Sequence, residues 1–181
     1  RCRANRNGLK TVRAGGHGGI ALQDCDRGTV RYCEASGNGD LTENDGQGII
    51  FYGSQDCLAE YNLSSGNRNG GLSLFHDEFV RVVERCVLRH NFVHDDVCDL
   101  SIVGAVLDCS VVQNEFRTHS RDGVYRKAFD VAASGAEQVR RLNVWGNLFE
   151  AEGGALLLEA VPGTIGVQGL ETNTWKGTPA I

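Results

Sequence analysis

Two stretches of this chain collect the side chains that could do chemistry. Phe92-Val93-His94-Asp95-Asp96-Val97-Cys98-Asp99 sets hard oxygen ligands close together. Asp95, Asp96 and Asp99 could hold a divalent cation, and calcium is the ion that such carboxylates suit. Ser120 to Lys127 gathers Arg121, Arg126 and Lys127 ahead of Asp130. A base beside cations suits an elimination, in which the proton α to a carboxylate is removed and positive charge stabilises what forms. Asp130 and Glu159 offer a second chemistry. Placed one repeat and two residues apart, their backbones would sit about 8 Å from each other, inside the range of an inverting hydrolase. Tyr52, Phe75 and His94 would then line the substrate side, the two rings as a platform for sugars. Structural roles stand beside each of these: adjacent acids cap turns through their own backbone, and Arg/Asp-rich loops form exposed ion pairs.

These residues hang on a repeat that runs the length of the chain. An Asn/Cys column reads Cys2, Cys33, Asn62, Cys86, Asn114, Asn147 and Asn173, and a second column five residues on reads Asn7, Asn38, Asn67, Asn91 and His119. Ahead of each turn comes a Gly-apolar-x-apolar stretch such as Gly48-Ile49-Ile50-Phe51 or Gly71-Leu72-Ser73-Leu74. A fixed register with variable spacers means one unit stacked many times.

Alternation along strands divides each unit into three. The first strand buries Ile20, Ile49, Leu72, Leu100, Phe129 and Leu156, with Leu22, Phe51, Leu74, Ile102, Val131 and Leu158 in the next column. The second contributes Val30, Ala59, Val83, Val111, Val144 and Leu170; the third contributes Ala35, Ser64, Leu88, Phe116, Phe149 and Trp175. Ile50, Tyr52, Phe75, Val103, Ala132 and Leu157 would then form an apolar strip on the outer face of the first sheet.

With 181 residues, 24 glycines, two prolines and no linker-like tract, the chain reads as a single domain over 1–181. Helical periodicity is absent. A net charge of −5 without a basic stripe argues against nucleic acid, and no apolar run is long enough for a membrane-spanning helix. The seven cysteines sit mostly in repeat columns and read as buried thiols. Cys2–Cys33 and Cys25–Cys57, on neighbouring repeats, are close enough in register to bridge, which leaves the redox compartment open.

On Tyr61-Asn62-Leu63 and Gly146-Asn147-Leu148, which carry an asparagine ladder, the chain resembles the right-handed parallel β-helix proteins of the pectate-lyase-like superfamily. The expected fold is all-β, a three-sheet solenoid of about six coils. Leucine-rich repeats fit Val139 to Phe149 and Val106 to Phe116, but most coils do not fit them, and the extra Gly-apolar-x-apolar strand and second Asn column suit a three-sheet coil better. The chain begins on a turn residue and ends just after a third strand, with no polar cap in its sequence, which reads as a piece of a longer solenoid or as ends covered by partners.

The resemblance implies a carbohydrate-associated protein, a polysaccharide lyase or glycoside hydrolase using the outer face of the first sheet, with an extracellular or periplasmic address. The signature residues of polygalacturonases and pectate lyases are missing, so no family roles transfer. The other reading is a non-catalytic module, a segment of an adhesin, fibre or surface protein, self-associating through its ends or the apolar strip.

Overall fold

A computed structural model of the chain describes residues 2–5, 18–39, 46–77, 79–120, 124–132, 139–160 and 166–177, without the side chains of 159 and 160. Every pairing in it is parallel, and each strand pairs with its counterpart in the next coil. The first sheet stacks Ile20–Gln23, Ile49–Tyr52, Gly70–Phe75, Cys98–Val103, Lys127–Ala132 and Leu156–Ala160. The second stacks Thr29–Arg31, Leu58–Glu60, Val87–Arg89, Ser110–Val112, Leu142–Trp145 and Val167–Gln168. Seven strands make the third: Arg3–Asn5, Glu34–Ser36, Leu63–Ser65, Phe92–His94, Glu115–His119, Leu148–Glu152 and Thr174–Lys176. The three-sheet solenoid expected from the columns is present, with a short fourth sheet of Val83–Glu84, Val106–Leu107 and Val139–Arg140 added between the first and second.

The offset of five has a simple cause. In the second coil Asp56, Tyr61 and Gly66 each take a positive φ (55°, 54° and 61°), and each turns the chain through a corner. The residue after each corner points inward: Cys57, Asn62 and Asn67 are all buried. One side of the coil is therefore a corner, an inward residue, an outward one, an inward one and an outward one.

The asparagines after the second corner form the predicted ladder, though not with the predicted members. Asn62 Nδ2 donates to Asn91 Oδ1 at 2.9 Å, Asn91 to Asn114 at 2.9 Å, Asn114 to Asn147 at 3.0 Å and Asn147 to Asn173 at 2.9 Å. Asn91, not Cys86, is the third coil's member. Cys86 lies one side earlier, stacked between Cys57 and Cys109. The expected register slips by one five-residue side in this coil, because Cys86 and Asn91 are five apart just as Asn62 and Asn67 are. The slip carries its neighbours along: Leu88 belongs to the second sheet, Val93 to the third and Val83 to the short fourth. All seven cysteines are free thiols, and burial pushes Cys57 up to about 11.

A second correction concerns the last coil. Phe129 pairs with Leu158, not Leu156, so Asp130 lies directly beside Glu159 on the adjoining strand. The 8 Å offset expected for that carboxylate pair does not exist in the backbone. The third correction concerns the outer face of the first sheet. Leu157 joins the interior core, while Ile50 and Tyr52 are only 1% and 8% exposed. The expected open apolar strip is therefore covered at Ile50 and Tyr52 and half-buried at Phe75, Val103 and Ala132.

Inside, Phe116, Phe149 and Trp175 stack at 4.8 and 4.5 Å, continuing the aliphatic columns with offset rings. Charges on the corners answer one another: Arg85 pairs with Asp56 at 2.7 Å, and Arg141 pairs with Asp108.

Candidate functional site: the corner after the third sheet

The third corner separates two carboxyl groups that are neighbours in the chain. Asp95 has φ 60° and directs its side chain outward; Asp96, the next residue, is wholly buried. Inside, Asp96 takes the place of an asparagine in the second ladder. Asn38 Nδ2 donates to Asn67 Oδ1 at 2.8 Å, and Asn67 donates its backbone N–H and its Nδ2 to Asp96 Oδ1 at 2.6 and 2.8 Å. Asp99 turns in beside it, accepting the Asp96 N–H at 3.1 Å and the hydroxyl of Thr118.

Room for this polar pocket comes from glycine. A Cβ on Gly71 would lie 2.3 Å from Asp96 Oδ2, and one on Gly48 would lie 2.2 Å from Ser64 Oγ. Burial pushes the Asp96 carboxyl up to about 8 despite hydrogen bonds from Asn67 and Ser64. Burial and the neighbouring Asp96 carry Asp99 well above the usual carboxylate range. Asp95, Asp96 and Asp99 thus do not converge on a cation: one faces out and two face in. Among the described residues no group of three or more His, Cys, Asp and Glu side chains could hold a metal ion.

Outside, the third strands of the next two coils run on. Glu115–His119 and Leu148–Glu152 have five residues where Leu63–Ser65 and Phe92–His94 have three. The extension brings His119 and Glu152 level with the Asp95 corner. Asp95 Oδ1 lies 2.8 Å from His119 Nδ1, and its Oδ2 lies 3.2 Å from His94 Nδ1. Glu152 Oε2 is 3.4 Å from the other nitrogen of His119. Partial burial opposes ionisation of Asp95, but the hydrogen bonds from His94 and His119 outweigh it and hold the carboxyl below its usual range. An ionised carboxylate only accepts, so both imidazoles must carry a proton on Nδ1, which leaves Nε2 of each as the atom that gives or takes one.

The other expected site residues are spread over different surroundings. Arg126 is buried and donates from Nη1 to the His119 carbonyl at 3.1 Å, so it supports the corner from within. Lys127 lies 3.4 Å from Asp130 on the same first-sheet strand and 5.8 Å from the Tyr125 ring. Tyr52 donates its phenol to Asp77 at 2.5 Å and meets Phe75 edge-on at 5.4 Å; burial and Asp77 push it up to about 12. Arg121 lies outside the described residues, as does the side chain of Glu159. His119, expected as a turn residue of the second column, and Glu152 are the members that spacing did not reveal. The true register, with Phe92 opposite Glu115, puts His119 within reach of Asp95.

A family model described as "right handed beta helix region" matches residues 1–116. No curated protein and no solved structure matched the chain. Among the described residues no helix is long and apolar enough to cross a membrane. The parallel coils, the internal asparagine ladders and the family match over more than half the sequence agree: the chain belongs to the right-handed β-helix family.

Proposed function

We propose that this β-helix binds a polysaccharide along the outside of its third sheet and cleaves it by proton transfer at the His94–Asp95–His119 corner. The observation that carries this reading is one partly exposed carboxylate orienting two imidazoles, with a second carboxylate, Glu152, across the ring of His119. Asp95 fixes the tautomer and stabilises an imidazolium, so His119 Nε2 can pass a proton to a leaving oxygen or take one from water. The fold agrees with carbohydrate-associated β-helix proteins.

Hydrolysis suits the site better than elimination. Of the cations that elimination calls for, the two among the described residues are engaged elsewhere, Arg126 inside the corner and Lys127 beside Asp130.

The test is a panel of neutral and acidic polysaccharides, with and without calcium, followed by reducing-end release and by ultraviolet absorbance of unsaturated products. New reducing ends without that absorbance, lost in Asp95→Asn, support the reading. Unsaturated products would replace it with elimination. Binding without turnover on any member would leave the non-catalytic module, a reading favoured by the number of charges paired within the solenoid.

A further inference from the structure

A groove of about 770 Å³ follows the outside of the second corner, one side of the coil away from Asp95. Its wall is a column of corner residues: Tyr32 stacks on Tyr61 at 5.3 Å, and Tyr61 on His90 at 5.1 Å, with planes within 11° and 9°. Its floor is the outward column of the third sheet, where Arg3, Glu34, Leu63 and Phe92 pair in successive coils.

The stacked rings occupy one another's faces, so they offer the groove their edges, a row of phenol and imidazole groups repeating at the coil spacing. The tyrosines are half exposed, Tyr32 55% and Tyr61 47%. Arg3 and Glu34 pair at 3.0 Å and cancel each other's charge. Hydrogen-bonding edges along one wall, apolar Leu63 and Phe92 on the floor and no net charge match a ligand with hydroxyls on its rim and C–H groups on its faces. Phe92 also meets the ring of His94 at 5.1 Å, so the groove opens onto the Asp95 corner.

We propose that this groove binds a linear neutral oligosaccharide, lying parallel to the solenoid axis with its sugars in step with the coils and one end at His94. The identity of the ligand rests on the glycan reading above; the location does not depend on turnover.

Calorimetric titration of the chain with cellohexaose, laminarihexaose and mannohexaose tests it. Binding of at least one is expected, weakened tenfold or more by Tyr61→Ala and by Phe92→Ser, and unchanged in Arg141→Ala, whose side chain pairs with Asp108 on a corner away from the groove. Phe92→Ser alters an exposed strand position and keeps the test valid if the corner variant unfolds. Groove-dependent binding with no cleavage would uphold the groove and remove the reaction. Failure of all three sugars to bind at millimolar concentration, binding indifferent to both groove variants, or tighter binding of hexagalacturonate would overturn the groove.

Discussion

Asp95 and Asp96 share a peptide bond and live in opposite surroundings. Asp95 stands outside the corner between two imidazoles and is held ionised; Asp96 lies inside among amide groups and is pushed up to about 8. One left-handed backbone step separates them. The inner carboxyl completes a ladder that sets the register of the coils. The outer one is released from that duty and stands, between two imidazoles, where a ligand can reach it. A solenoid corner can thus divide structure from chemistry between adjacent residues.

The largest effect should come from breaking the inner side. Asn91→Ala leaves the backbone N–H and Nδ2 of Asn62 without Asn91 Oδ1, and removes the side-chain donor to the Ala59 carbonyl and to Asn114 Oδ1, which keeps only the backbone N–H of residue 91. Several buried polar groups unpaired at once should cost about 3–5 kcal/mol, a fall in Tm of about 10 °C. Cys86→Ala removes only a small apolar group and should cost about 1–2 kcal/mol. Equal losses would return Cys86 to the ladder. Gly71→Ala is next, at about 2–3 kcal/mol by denaturant titration, because the added methyl meets both Asp96 Oδ2 and Val93.

Asp96→Asn should move stability the other way. Between the ordinary carboxylate value of the unfolded chain and about 8, the folded chain holds a proton that the unfolded chain has lost. The stability of the native protein therefore falls as pH rises through that window. Asparagine has no such proton to lose, so the variant should match the native protein near about pH 4 and exceed it by ~1–3 kcal/mol at alkaline pH. A constant difference across the window would show that Asp96 is not buried as a neutral acid. The smallest change in stability belongs outside: Asp95→Asn should stay within ~0.5 kcal/mol of the native protein, while cleavage falls roughly 100-fold. Loss of stability comparable to that of Asn91→Ala would put Asp95 among the structural residues.

Much of this was readable from residue types alone. Alternation and the asparagine columns carried the fold because a solenoid repeats its inward positions whatever lies outside. They erred where the repeat is self-similar: Cys86 and Asn91 sit five apart like Asn62 and Asn67, and only the hydrogen bonds tell the two columns apart. The site was less visible. Asp95 and His119 are 24 residues apart and meet because one third strand runs two residues beyond the end of the strand beside it. No composition or spacing rule marks that extension. The covered first-sheet face was equally hidden, since Ile50 and Tyr52 read the same in sequence whether open or buried.

The division at the corner is tested most directly by carbon-13 NMR titration of the aspartate carboxyls, assigned with Asp95→Asn and Asp96→Asn. Asp95 should titrate below the ordinary carboxylate range and Asp96 near about 8. Two carboxyls titrating together in the ordinary range, or in the reverse order, would contradict the account.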